Sequence, residues 1–437
     1  MAAVGEGDQV RLAGRTKKPL DWKSIPFILA NETFEKVASY GVAANLITYL
    51  IKRFYIGQLK ATNITNIFFA TLNFTPLIGA FISDSYLGRL YIHVPPERSI
   101  FSGIAQVLVA SFKKRKLKLP CPHDINQQEL VLYNPPTRGK RLFRLPITSQ
   151  FRFLNKGAIV WDGDVNDDGS ARNSWELSSI QQIEEVKCLI RIVPICFSGI
   201  LCFVAMAQQF TFIVLQAFTM DCHLGPHFEI PAGTVTSISL IALTVFIAIY
   251  DRIIVPFARQ FSGLEGGITL LQRQGVGLVI SPLSMVVAGL VECKRRNSAL
   301  SNGGISPMTV LWLAPQLVLM GIAEAFNTVG QIEFYNKQFP EHMQTLAGSL
   351  SFCTVAGANY LSIVLVNIIR KVTARHGHVS WLTDDINKGK LEYYYYFIAI
   401  LGVFNFFYFL ICSHYYQYKA MSPQAEESTE INIDTCI

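Results

Sequence analysis

Apolar residues in this sequence are gathered into runs, and several exceed the ~18 residues that mark a membrane helix. Two runs, Ile25 to Ile51 and Ile64 to Ile82, come first. Six more follow a long polar stretch: 187–218, 232–257, 268–292, 307–335, 345–371 and 391–416. Composition agrees, with 51% hydrophobic and 16% charged residues, against about 25% charged in a soluble domain. Mean hydropathy is +0.32. The expected fold class is an all-α polytopic membrane protein with about eight spans. The 437 residues would just hold twelve spans of ~20 residues if every loop were short, and one loop is long.

The segments divide the chain into a tail (1–24), two spans (25–88), a polar loop (89–186), six spans (187–416) and a second tail (417–437). Five Lys/Arg precede Ile25 and fourteen lie between Tyr86 and Val186. Both segments are expected in the cytoplasm, which places both termini there. Lys294, Arg295 and Arg296 oppose this scheme, because they fall in a loop expected outside. Within the polar loop, Ser99 to Phe112 reads as an amphipathic helix along the membrane surface. The net charge of +7 sits beside the spans and sets topology, so nucleic-acid binding is a poor reading. Met1 to Asp21 is polar and reads as no signal peptide.

Charges inside membrane runs usually have a function, because each costs ~2.5–3.5 kcal/mol at a span centre on insertion scales. Glu32, Glu35 and Lys36 are spaced i, i+3, i+4 and share one helix face, with Tyr40 a turn later. Two carboxylates beside an amine suit proton uptake and release; the bland alternative is charges snorkelling at the membrane rim. Glu324, with Asn327 and Gln331 at helical spacing, forms a stripe that can line a watery cavity or glue helices together. Gln208, Gln209 and Gln216 carry a weaker signal of the same kind. Glu333 reads equally as a structural ion pair. At the end of the second run, Gly79, Asp84, Gly88 and Arg89 form a gate-like pattern, the small Gly79 permitting close helix contact.

Other patterns are weak. Asp164, Asn166 and Asp168 imitate half of an EF-hand loop, but Trp175 stands at position twelve, so a flexible polar loop is expected. The sequons at Asn31, Asn63 and Asn73 lie in or near spans. The nine cysteines lack metal spacing, and Cys222 and Cys293 read as isolated thiols rather than a disulfide. No nucleophile–base pair, phosphate loop or metal cluster appears. Neither a cofactor nor an enzymatic activity is expected; the expected partners are a small solute, protons and the lipid bilayer.

NETFEKVASYG, NFTPLIGAFISDSYLGR, FRFLNKGAIV, YDRIIVPFAR, GGITLLQRQGVG and GIAEAFNTVGQIEFY resemble members of the plant nitrate/peptide transporter family. These are proton-dependent oligopeptide transporters of the major facilitator superfamily. The resemblance runs from about Asp21 to Tyr416, and NETFEKVASYG and SDSYLGR look closest to a nitrate-associated subgroup. It implies a major-facilitator-type helix bundle of two halves rocking around a central site, carrying nitrate or a similar solute with protons across the plasma membrane. The family's first-helix proton-coupling motif maps onto Glu32, Glu35 and Lys36, with Lys in place of Arg and so no bidentate fork. The tenth-helix acid maps onto Glu324, and the gate motif onto Gly79, Asp84, Gly88 and Arg89. Tyr40, Gln208, Glu324 and Asn327 are expected to line the cavity. Met206 stands where some nitrate-carrying members have histidine. After Leu90 the sequence passes directly to a segment that follows the sixth span in the family. Spans three to six, on the order of 130–150 residues, are therefore expected to be missing, leaving an incomplete N-terminal bundle. The competing reading is a non-transporting isoform or gene-model product that associates with full-length transporters.

Overall fold

The computed structural model describes residues 41–42, 45–82, 100–117, 119, 132–135, 145–148 and 150–418, apart from 162, 167–168, 226–227, 265, 340–343, 376–378 and 417. Helices dominate: α1 (45–54), α2 (Gln58–Ile82), α3 (Ile100–Lys113), α4 (Ile180–Ala217), α5 (Ala232–Ser262), α6 (Leu270–Ser301), α7 (Val310–Gln338), α8 (Gln344–Thr373) and α9 (Leu391–Tyr415). Among the described residues, α4 to α9 contain the six segments long and apolar enough to cross a membrane. Two-residue β1 (Met220–Asp221) pairs in parallel with β2 (Ser306–Thr309) beyond the ends of α4 and α6.

The longer helices start where the sequence supplies caps. Ser179 and Gln182 form a reciprocal capping box at α4, and Thr269 and Gln272 repeat it at α6, each satisfying two orphan amides. The core runs along α4, where Phe212, Ile213, Val214 and Leu215 are buried against Met285, Ala288, Leu317, Tyr394 and Tyr395. Helix α2 lies along α8: Asn63 donates to Asn367 at 3.4 Å, and the Thr71 and Tyr360 hydroxyls are 3.3 Å apart. Asn73 donates to Phe69 O at 2.8 Å within α2.

Helices α5 and α7 cross closely because Gly321 has no side chain. A Cβ there would stand 2.4 Å from the Ser239 carbonyl oxygen and 3.1 Å from Ala242 Cβ. Gly321→Ala is expected to destabilise the bundle by about 1–3 kcal/mol, the usual penalty of overpacking. Gly348, in α8, has nothing within 4 Å of that position, so Gly348→Ala is expected to stabilise by about 0.4–1 kcal/mol. Opposite shifts in thermal unfolding of the two variants in detergent would check both.

The long polar loop carries its own small core. Val107 and Ala110 of α3 pack with Leu132, Leu154 and Ala158 onto Ile180, Ile183 and Val186 of α4. One apolar face of α3 is thus covered by protein. Asp164, the first position of the EF-hand-like pattern, is bound by Lys114 Nζ at 2.8 Å.

The reading of this basic cluster as a loop is corrected. Lys294, Arg295 and Arg296 lie within α6, which continues to Ser301. Arg295 is fully buried and forked onto Glu292, with both bonds 2.7 Å. Arg296 pairs with Glu392 at 3.2 Å, and Lys294 stands 3.8 Å over the Trp312 ring. Arg295 and Arg296 are thus paired within the bundle, while Lys294 is exposed. Cys222 and Cys293 are both free thiols.

Candidate functional site

Glu324 ends a regular α-helical stretch of α7, and Ala325–Val329 that follows is π-helical. A π turn inserts one residue into the helical repeat and often marks a functional position. A second π turn, Tyr250–Ile254, interrupts α5. The two face each other through the Tyr250 and Phe326 rings, whose centroids are 5.4 Å apart. Nothing in the composition signals this register change.

Asn327 is buried within the α7 π turn and donates to Cys202 Sγ of α4 at 3.0 Å. Glu324, three residues earlier in the same helix, is half-buried. Among the described residues no hydrogen bond or ion pair is recorded for its carboxylate. Gly277 of α6 makes room for Asn327: a Cβ there would stand 2.4 Å from Asn327 Nδ2. Six residues further along α4, Gln208 is buried and donates to the Ser362 carbonyl of α8 at 3.3 Å. Gln208 Oε1 and the Ser362 hydroxyl have no partner among the described residues. Orphan polar atoms at such depth cost about 1–3 kcal/mol each, which a polar solute or water would offset. The α7 π turn meets α4 at Cys202, and Gln208 meets α8, so both are polar positions of the bundle interior.

Gln209 and Gln216 belong to a second hydrogen-bond network, in which Gln209 Oε1 and Gln316 Oε1 have no partner among the described residues. Gln209 donates to Ser284 (2.9 Å), Ser284 to Gln316 O (2.8 Å), and Gln316 to Gln216 (3.4 Å). Gln216 donates to Glu292 (2.7 Å), while Arg295 reaches Thr219 (2.7 Å) and Asn387 (2.9 Å). Sequence reasoning passed over Glu292 and Arg295 as a pair, although their i, i+3 spacing was the available signal. Glu333 is in ion pairs with Arg273 (3.4 Å) and Lys337 (2.9 Å).

A cleft of about 730 Å³ opens between α1 and the β1–β2 end of the bundle, lined by Asn45, Thr48, Lys52, Asp221, His223 and Glu229 among others. Lys52 Nζ lies 5.2 Å from the Phe218 ring centroid. His223 Nδ1 is 2.7 Å from Asp221 Oδ1. That hydrogen bond and the Asp221 charge raise the His223 pKa above the ordinary 6.5. Hydrogen bonds from His223 lower that of Asp221. Because the imidazole is raised, the pair is fully formed below its ordinary range and lost as pH climbs through the raised value. Asp221→Asn is expected to move the His223 midpoint down, which a histidine-resolved NMR titration reads directly.

Glu32, Glu35, Lys36, Tyr40, Asp84, Gly88 and Arg89 lie outside the described residues. Gly79 is in α2, exposed, with no described atom within 4 Å of where a Cβ would stand.

The profile of the POT family matches residues 79–382. Protein NRT1/PTR FAMILY 2.13 of Arabidopsis thaliana is 37% identical over 552 aligned positions, covering 93% of this chain and 88% of the relative. Protein NRT1/PTR FAMILY 2.12 of the same plant is 36% identical over 555 positions, covering 95% of each. Among solved structures, an auto-inhibited POT family peptide transporter matches with a TM-score of 0.57 at 15% identity, covering 92% of this chain and 99% of that one. The POT family transporter PepTSo gives the same TM-score and identity, covering 91% and 99%. At such identity the likeness is one of fold, a major-facilitator-type helix bundle.

Proposed function

Because this chain belongs to the POT family of membrane transporters, and is an integral membrane protein rather than an enzyme, we propose that it is a shortened proton-coupled carrier of nitrate or a similar small solute. The observation that carries this reading is the polar interior of the bundle. Glu324 and Asn327 at a π turn, and Gln208 where α4 meets α8, offer a carboxylate, amides and an unpartnered acceptor at membrane depth. Intramembrane carboxylates cost too much to be kept without a partner or a task. Glu32, Glu35 and Lys36 are assigned to proton coupling, Tyr40, Gln208, Glu324 and Asn327 to the solute cavity, and Gly79, Asp84, Gly88 and Arg89 to the cytoplasmic gate.

Nitrate rests on the resemblance of NETFEKVASYG and SDSYLGR to a nitrate-associated subgroup, with Met206 in the place of the histidine some carriers use. Plasma-membrane residence rests on the same resemblance. Cytoplasmic termini follow from the basic segments on either side of the first two spans. Of the cluster that opposes this arrangement, Arg295 pairs within α6 and Arg296 with Glu392 of α9, which leaves Lys294 as its exposed cation.

The shortening is supported by the alignment itself. Since 93% of 437 residues is about 406, about 146 of the 552 aligned positions face no residue of this chain. That is the length of four spans with connections, as expected after Leu90. The same gap favours a second reading, a form that no longer transports, because the lost helices would complete the first bundle and its side of the cavity. Nitrate uptake by cells expressing the chain, at acid and neutral external pH, separates the two. Acid-stimulated uptake above that of untransfected cells supports the carrier; none at either pH, with the protein present in the membrane, supports the second reading.

A further inference from the structure

A patch of aromatic and basic side chains lies on the folded loop, apart from the residues assigned to the solute cavity. Leu108 and Phe112 lie four residues apart on the outer face of α3, 46% and 66% exposed. The Arg115 guanidinium stacks on the Phe112 ring, 4.2 Å from its centroid. Lys156 Nζ donates to the Arg115 carbonyl at 2.7 Å, which brings the short helix Arg152–Asn155 alongside. Phe153, three residues before Lys156, is 58% exposed, and Trp161 is 57% exposed just beyond. Among the described residues, Asp164 holds Lys114, Glu176 holds Lys113 and Glu184 holds Lys187. Arg115, Lys116 and Lys156 are left as the cations of the patch.

The place of this subdomain is fixed by its attachments. Its core is continuous with Ile180, Ile183 and Val186 at the start of α4. Gln150 donates to the Tyr415 carbonyl, at the end of α9, at 3.1 Å. The patch therefore hangs at the level where two membrane helices leave the bilayer. Rings with one apolar body, interleaved with cations at that level, match a lipid headgroup layer.

We propose that this patch docks on the bilayer surface by binding anionic phospholipid headgroups, with Arg115 and Lys156 meeting the phosphates and Phe112 and Phe153 entering the boundary below. It rests on the chain spanning a bilayer and not on which solute it carries. Each cation near an anionic surface is worth about fivefold in partitioning. The test uses the full chain in nanodiscs of phosphatidylcholine alone or with phosphatidylserine, followed by hydrogen exchange of 108–117 and 152–161. Both leaflets carry the anionic lipid, so the outcome is independent of which side the loop faces. Exchange of these segments is expected to slow at least fivefold in the anionic discs, and raised salt to abolish the difference. The Arg115→Glu/Lys156→Glu variant should exchange alike in both discs while α4 keeps its protection. Equal exchange of the unmodified chain in the two discs, or a difference that survives raised salt, overturns the assignment.

Discussion

Arg295→Ala is expected to lower the stability of the C-terminal bundle by about 3–5 kcal/mol, because it leaves Glu292 charged and unpaired in the interior. Both side chains are fully buried, and the guanidinium also holds Thr219 and Asn387. Gln216, which donates to Glu292 and accepts from Tyr395, would lose a fixed partner as well. The damage thus reaches α4, α6 and α9 together. For a bundle of this size the loss corresponds to a fall of about 6–20 °C in the unfolding midpoint. Glu292→Leu with Arg295→Met removes both charges at similar volume and is expected to recover most of the midpoint, since well-packed apolar pairs can replace a buried ion pair without loss. Thermal unfolding of the single and double variants in detergent gives both numbers. Single and double variants falling alike would show that packing and not the charge pair holds this region.

The second large effect concerns coupling. Glu32→Gln, Glu35→Gln or Glu324→Gln is expected to abolish acid-stimulated uptake, because an amide keeps the shape and hydrogen-bonding reach of the carboxylate but cannot take up and release a proton. For Glu324 the physical basis is its place in the membrane-spanning part of α7, three residues before Asn327, with no described cation paired to it. Gly277→Ala should act on the same place indirectly by driving Asn327 from its contact with Cys202. Uptake measured against external pH, with the amount of protein in the membrane matched, reads all four. Unchanged acid stimulation in the three amide variants would remove these carboxylates from the coupling scheme.

The membrane helices were legible because an apolar run of the right length has few other fates in a chain this poor in charge. Their ends were not. Helix α4 begins at Ile180, seven residues before the apolar run, since Glu184 and Lys187 lower the hydropathy there although they pair at 2.6 Å within the helix. The capping box at Ser179 and Gln182 was the signal that marks this start. Arg295 and Arg296 were read as loop cations for the same reason: hydropathy counts a charge without its partner, and Glu292 and Glu392 are the partners. The folding of the polar loop escaped because its core is made from scattered residues such as Val107, Leu132 and Leu154, far apart in the chain.

Within the candidate site, the Glu324–Asn327 stripe could be read from helical spacing alone. What spacing could not supply was Cys202 across the interface, the orphan acceptor on Gln208, or the facing π turns. These depend on how two helices meet, and one sequence holds no record of that. The separation of Gln208 from Gln209 and Gln216 into different environments has the same origin, since adjacent residues on a helix point about 100° apart.

The most direct measurement is coupled flux through the purified chain in proteoliposomes, with nitrate and internal pH followed together after an inward proton gradient is imposed. A shortened but working carrier admits nitrate and acidifies the lumen in a fixed ratio, and loses both in the Glu32→Gln variant. Nitrate entry with no accompanying protons, or no entry of either in vesicles that hold the folded chain, contradicts proton-coupled transport by this protein.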